Sequence, residues 1–261
     1  MTIYALVYDI SEVRLWGLDT RQRIQRQLKE IGKSAKGEFQ QISWVDHYTE
    51  LPANCQALLF NGNFVFEKRT IEGVTATPNN VLQREGETAA AFVTAAHAAT
   101  VIDHMQDHGK GLPDDLTVIN TGDLEAFDIN LRRSTKPLLE PVSLAGKAEL
   151  ENKLYGNAYR GITDLVTKFL WPRPAKKAVH VCANLGATPN MVTTIGLLLV
   201  IAACFLFYHG YYAWGLLAGW IMTFLDTVDG KLARVTINSS QFGHLYDHLI
   251  DLIHPCLLYT S

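Results

Sequence analysis

The chain has 261 residues, a formal net charge of −3 and a hydrophobic content of 48%. A net charge this close to zero does not indicate a nucleic-acid-binding protein. The four cysteines are scattered and include no C-x-x-C pair, so they indicate neither a disulfide framework nor a zinc site. The composition changes from mixed and polar to largely apolar near residue 180, so two domains are expected. The N-terminus has no basic region followed by an apolar one, so no cleaved signal peptide is predicted.

The first 140 residues alternate apolar segments with helical patterns. Strands are predicted from Ile3 to Tyr8 and from Ala57 to Phe66. Helices are predicted from Thr20 to Ile31 and, in an alanine-rich segment, from Thr88 to His104. This alternation is typical of an α/β fold with a largely parallel sheet, so residues 1–140 are predicted to form an α/β domain.

Residues 141–187 are predicted to be an amphipathic connector beside a membrane. From Glu151 to Asn184, apolar and aromatic residues occur together with flanking cations. That composition suits a helix lying on a membrane surface. Pro172 and Pro174 are expected to break the helix, because proline removes a backbone donor.

Residues 188–261 begin with two apolar segments. Met191 to Tyr208 carries no charge and is long enough to span a membrane if its flanks contribute, with Thr188 and Pro189 at its start. Tyr211 to Leu225 is shorter and reaches full length only if its helix continues through the acidic residues beyond it. A third helix is expected to begin near Gly243.

The distribution of lysine and arginine predicts the orientation in the membrane. Cations precede the first apolar segment and follow the second, whereas the loop from His209 to Tyr212 has none. By the positive-inside rule, the N-terminal domain and the acidic residues after the second segment both face the cytoplasm. The cations are Arg160, Lys168, Arg173, Lys176, Lys177, Lys231 and Arg234.

Four aspartates lie within or beside the apolar sequence. Asp226 and Asp229 are spaced i, i+3, and Asp247 and Asp251 are spaced i, i+4, so on helices each pair occupies one face. Each carboxylate near a bilayer centre costs roughly 2.5 to 3.5 kcal/mol, so a cation is expected among them. Oxygen ligands without histidine or cysteine favour Mg2+, Mn2+ or Ca2+, and a Mg2+ with open positions usually serves a phosphate-bearing substrate.

The segment that contains these aspartates reads D-x2-D-G-x2-A-R-x8-G-x3-D-x3-D and resembles the signature of the CDP-alcohol phosphatidyltransferases. The resemblance implies an all-α transmembrane bundle, of which this chain would hold the first two to three helices. It also implies metal-dependent transfer of a substituted phosphate group from a CDP-alcohol to an acceptor alcohol, with release of CMP. Every signature position is filled: Asp226, Asp229, Gly230, Ala233, Arg234, Gly243, Asp247 and Asp251.

The resemblance further implies a role for each signature residue. Asp251 would be a metal ligand and would in addition act as the general base that deprotonates the acceptor hydroxyl. The glycines would let a nucleotide approach the backbone, and the arginine fork would bind a phosphate oxygen. The expected ligands of Mg2+ or Mn2+ are Asp226, Asp229, Asp247 and Asp251. The expected nucleotide-binding residues are Gly230, Ala233, Arg234 and Gly243.

The expected partners are a CDP-alcohol, an alcohol acceptor and membrane lipid, with a homodimer as a possible assembly and no nucleic acid. The expected location is an inner or cell membrane. Two rival functions stay open at this point. A cation transporter would use intramembrane carboxylates but would not require Gly230, Arg234 or Gly243. A non-catalytic membrane scaffold would not require the metal ligands.

The N-terminal layout resembles the GT-A-like nucleotidyltransferase domain of bifunctional enzymes that also carry this membrane domain. That family has a glycine-rich loop after its first strand, where this chain reads Ala5 to Ser11 without glycine. Its metal-binding aspartates are replaced by Asn63, Val118 and Asn120. The domain is therefore expected to be catalytically silent, and a bifunctional enzyme that also makes its CDP-alcohol is the alternative.

The end of the sequence carries one more expectation. The family resemblance implies six membrane spans, and this chain holds fewer. Cys256 to Ser261 resembles translated adapter sequence, so the native sequence is expected to end near Pro255 and the catalytic bundle to be incomplete.

Overall fold

The computed structural model describes residues 3–34, 42–107, 111–124, 127–128, 133–134, 136–158 and 170–238. The chain divides into two compact units, Met1–Leu150 and Glu151–Ser261. The first is an α/β unit, and the regular secondary structure described in the second is all helical.

The described residues of the first unit form ten strands and three helices. The unit ends at Leu150, within the first turn of a fourth helix. Its main sheet has the strand order β2-β1-β3-β6-β5-β7. Its strands are β1 (Ile3–Tyr8), β2 (Ile42–Trp44), β3 (Gln56–Asn61), β4 (Phe64–Phe66), β5 (Asn80–Arg84), β6 (Glu87–Thr94), β7 (Thr117–Asn120), β8 (Phe127–Asp128), β9 (Arg133–Ser134) and β10 (Leu139–Pro141). Its helices are α1 (Thr20–Ser34), α2 (Lys68–Thr75) and α3 (Ala95–Gln106), with 3-10 turns at Tyr48–Glu50 and Thr121–Asp123.

The main sheet is mixed. The pairs β1–β2, β1–β3 and β5–β7 are parallel, whereas β6 runs antiparallel to both β3 and β5. The prediction of a largely parallel sheet is therefore wrong for β6. This strand is joined to β5 by a hairpin and so runs antiparallel to its neighbours. The predicted strand from Ala57 to Phe66 is also two strands, β3 and β4, with Gly62 and Asn63 between them.

The predicted helix from Thr88 to His104 is wrong in its first half. Residues up to Thr94 form β6, and the helix begins at Ala95. Before β6, Glu85 and Gly86 have φ of 53° and 87°, and two successive positive φ values are what a tight type I′ hairpin requires. The alanines of β6 are buried, and a strand buried on both faces lacks the alternation that distinguishes strands from helices.

Helices cover both faces of the main sheet. Ile24 and Leu28 of α1 belong to the hydrophobic cluster on one face, and Val101 and Ile102 of α3 belong to the cluster on the other. Along β1 and β3, successive residues enter opposite clusters, as the pleat of a strand dictates. The α/β unit therefore has three layers.

The second unit consists of α4 (Lys147–Asn157), which begins at the end of the first unit, α5 (Pro172–Asn184), α6 (Pro189–Tyr208) and α7 (Tyr212–Val235). Both α5 and α6 pack against α7. Pro172 and Pro174 lie in the first turn of α5, where proline needs no backbone donor, so a helix begins at the position where the sequence predicted a break.

Helices α6 and α7 form a hairpin close to the one predicted. Thr188 caps α6 by accepting a hydrogen bond from the Met191 N–H at 3.3 Å. Gly210, with φ of 81°, ends the helix: its N–H bonds the Phe207 carbonyl and the next N–H bonds that of Leu206, which is a Schellman motif.

Among the described residues, α6 is the one helix both long and apolar enough to cross a membrane. Helix α7 continues through the first two signature aspartates to Val235, as predicted, and its role as a second span stays a prediction. The predicted third helix lies outside the described residues.

Candidate functional site

Helix α7 carries the first five signature residues within its last three turns. The spacing predicted from the sequence is thus realised on one continuous helix. The remaining three, Gly243, Asp247 and Asp251, lie outside the described residues. The five residues on α7 are Asp226, Asp229, Gly230, Ala233 and Arg234.

The first two aspartates differ in burial. Asp226 is exposed among the described residues, whereas Asp229 is 5% exposed. The reason is α6, whose N-terminal half lies beside the C-terminal half of α7 and brings Thr193 against Asp229. The Thr193 hydroxyl donates a hydrogen bond to Asp229 Oδ2 over 2.6 Å.

Gly230 and Arg234 have different surroundings. A Cβ placed on Gly230 would meet no atom of the described residues within 4 Å. Packing among those residues therefore does not require glycine, although glycine inside a helix costs about 0.5–1 kcal/mol relative to alanine. Arg234, expected to bind phosphate, donates from Nη1 to the Ala158 carbonyl at 2.6 Å. This contact uses one of its five N–H donors.

The segment at the end of α4 holds a second cation of α7. Lys231 is buried, and its ammonium lies 5.4 Å from the centre of the Tyr155 ring. Tyr155 is itself buried and donates weakly to the Pro172 carbonyl at 3.5 Å. Residues 155–158 therefore contact two cations of the signature helix, a relationship for which the sequence gives no local signal.

The chemistry of the described carboxylates fits a hard divalent cation. Asp226 and Asp229 place two carboxylates on one helix, and Mg2+ prefers oxygen ligands of this kind. A buried carboxylate such as Asp229 also requires compensation of its charge. Within the described part of the chain, no group of three acidic, histidine or cysteine side chains is close enough to hold a metal. The second aspartate pair lies outside that part.

The α/β unit brings two polar residues together at the ends of adjacent strands. Asp9 follows β1 with φ of 51°, and Asn63 follows β3. Asn63 Nδ2 donates to Asp9 Oδ2 at 2.6 Å. Nothing in the sequence pairs these two residues, which are 54 positions apart, so this contact was not predicted.

Comparison with known proteins identifies residues 186–261 as a CDP-alcohol phosphatidyltransferase family domain. The archaetidylinositol phosphate synthase of Pyrococcus horikoshii is 40% identical over 82 residues, which are 30% of this chain and 42% of that protein. Cholinephosphotransferase 1 of Danio rerio is 32% identical over 125 residues, 44% of this chain and 31% of that protein. The phosphatidylinositol phosphate synthase of Mycobacteroides abscessus is 36% identical over 69 residues, 26% of this chain and 31% of that protein.

These similarities cover parts of the proteins concerned. The chain spans less than half the length of each of these three relatives. The matched family domain lies wholly within the second unit, which begins at Glu151.

Proposed function

We propose that the protein transfers a substituted phosphate group from a CDP-alcohol to an acceptor alcohol, releasing CMP, in the synthesis of phospholipids or related phosphodiesters. The observation that carries this proposal is Asp229, a carboxylate only 5% exposed on a helix of the matched family domain. Hard divalent cations such as Mg2+ prefer carboxylate oxygens, and a cation bound here would stabilise a charge that is largely removed from water. We place the site at the C-terminal end of α7, where it would be completed by Asp247 and Asp251.

In this proposal each residue has a defined task. The four aspartates hold Mg2+ or Mn2+, which when bound offsets the negative charge of the donor diphosphate. Arg234 binds a diphosphate oxygen through its planar fork, and Gly230 and Gly243 admit the nucleotide close to the backbone. Ala233 shapes the same pocket. These groups supply mainly orientation, which brings the reacting atoms together.

Asp251 accepts the proton of the acceptor hydroxyl, and the hydroxyl oxygen forms a bond to the β-phosphorus. The bond between the β-phosphorus and the bridging oxygen breaks, and CMP leaves with that oxygen. The donor's alcohol and its phosphate are then joined to the acceptor in a phosphodiester.

We further propose that the α/β unit is a nucleotidyltransferase-like domain without catalytic activity. The contact between Asn63 and Asp9 supports this proposal. Two carboxylates at such a distance would need a cation between them, whereas an amide donates a hydrogen bond and needs none. The expected result is that the whole chain releases no pyrophosphate from CTP with any sugar-, inositol- or glycerol-phosphate. Metal-dependent release would instead favour the bifunctional alternative.

The proposed transfer is tested by CMP release from the full-length protein in detergent. A panel of CDP-alcohols is combined with acceptors that include inositol phosphates, because two of the relatives are named archaetidylinositol phosphate synthase and phosphatidylinositol phosphate synthase. Release should require Mg2+ or Mn2+ and should be abolished by Asp229→Asn, which keeps the shape of the side chain but removes its charge.

Asp114→Asn is the matched control, since Asp114 is an exposed aspartate of the α/β unit. It should release CMP at the wild-type rate. Undiminished turnover in EDTA or in Asp229→Asn would contradict the proposal. A protein that binds the metal but ignores every CDP-alcohol would favour the transporter or the scaffold.

A further inference from the structure

We infer that Thr193 is a positioning residue for Asp229, so that a hydroxyl outside the aspartate signature helps to form the metal site. This inference rests on the proposed function, because it concerns the same carboxylate. Thr193 lies in α6 and Asp229 in α7, 36 positions later. The contact therefore links the two helices of the hairpin at the level of the signature.

The geometry indicates which acceptor receives the hydroxyl proton. Thr193 Oγ1 lies 2.6 Å from Asp229 Oδ2 and 3.0 Å from the Pro189 carbonyl oxygen. A hydroxyl has one hydrogen to donate. The shorter distance is typical of a bond from a hydroxyl to a carboxylate, which is about twice as strong as a bond between neutral groups. The hydrogen therefore belongs to the bond with Asp229.

Burial makes this bond effective. Asp229 is 5% exposed and Thr193 is half-buried, so little water competes for the carboxylate oxygen. The bond restricts rotation of the carboxylate and fixes its plane relative to α6. Outer partners that orient metal ligands in this way typically contribute 10–100-fold to metal affinity or activity.

The adjacent threonine provides a matched control. The Thr194 hydroxyl donates to the Asn190 carbonyl of its own helix at 2.7 Å, and Thr194 is exposed. Successive residues of an α-helix are rotated by about 100° relative to each other, so Thr194 points away from the direction of Thr193. The same substitution can thus be made one position apart, with and without a hydroxyl that reaches Asp229.

The experiment compares Thr193→Val, Thr193→Ser and Thr194→Val in the full-length protein in detergent. Mn2+ affinity is measured by the loss of the free-ion electron paramagnetic resonance signal, and kcat and KM are measured from CMP release. Thr193→Val should weaken Mn2+ binding and lower kcat, each about 10–100-fold, with little change in the KM of the donor. Thr193→Ser should restore both, and Thr194→Val should match the wild type.

One further measurement and a substitute variant separate positioning from packing. The thermal unfolding midpoint in EDTA reports on folding without metal, and Thr193→Ala replaces the valine variant if that protein does not fold. Wild-type Mn2+ affinity and kcat in Thr193→Val, or a serine variant as impaired as valine, would overturn the inference while leaving the proposed function intact. A wild-type protein that neither binds Mn2+ nor releases CMP would overturn both.

Discussion

Asn63 Nδ2 donates a hydrogen bond to Asp9 Oδ2 at 2.6 Å and so joins the ends of two parallel strands. The strands approach closely here: the Gly62 N–H bonds the Tyr8 carbonyl at 2.6 Å. A Cβ on Gly62 would lie 2.7 Å from both the Asp9 carbonyl oxygen and the Ile10 Cα, so this position requires glycine. An amide and a carboxylate are thus held together by the backbone itself.

Asn63→Asp should destabilise the α/β unit at pH 7 by about 1 kcal/mol, because a hydrogen bond is replaced by repulsion between two carboxylates. The loss should shrink as the pH falls, because the repulsion favours proton binding to the introduced carboxyl in the folded protein, and the protonated carboxyl can donate again. Scanning calorimetry of the whole chain measures the effect. Asn63→Ala is the control that removes the bond without adding charge, and an alanine variant less stable than the aspartate variant at pH 7 would contradict the argument.

Tyr155→Leu should destabilise the helical unit by about 1–2 kcal/mol, because the buried Lys231 ammonium loses the ring face that it contacts. Tyr155→Phe keeps the ring and removes only the hydroxyl, whose bond to Pro172 is long. The phenylalanine variant should therefore unfold close to the wild type. Thermal unfolding in detergent distinguishes the two. Equal losses in both variants would assign the effect to the hydroxyl instead of the ring.

Ile237→Gly should stabilise the end of α7. Ile237 has φ of 49°, and its N–H bonds the Arg234 carbonyl while that of Asn238 bonds Ala233, which is the glycine position of a Schellman motif. A side chain in this conformation costs roughly 1–2 kcal/mol. Ile237→Ala is the control, because it shortens the side chain but keeps the Cβ. Denaturant unfolding should rank glycine above alanine, and the opposite order would rule out backbone strain at this position.

The orientation predicted from the charges places the loop after α6 outside the cell and the signature inside. Single cysteines are introduced at His209 and at Ser239 after the native cysteines are replaced, and intact cells are treated with an impermeant maleimide. The cysteine at 209 should react and that at 239 should be shielded, whereas both should react in lysed cells. The reverse pattern in intact cells would contradict the positive-inside assignment.

Elements with a clear pattern were predicted well from the sequence. The sequence placed β1 correctly, found α1 to within a few residues at its end, and placed the start of α6 at Thr188 and Pro189. Each of these segments has a length, an apolar pattern or a cap that distinguishes helix from strand. Thr88 to Thr94 has none of these, because its alanines suit both structures until the hairpin with β5 decides between them.

The chemical groups along α7 follow from the sequence, because the pitch of a helix fixes the spacing of Asp226, Asp229 and Arg234. What each of these side chains contacts depends instead on how the helices pack. Nothing in the sequence distinguishes Thr193 from Thr194, and yet one reaches Asp229 and the other bonds its own helix. That choice depends on how α6 and α7 are rotated about their axes, which side-chain packing over the whole length of the hairpin sets.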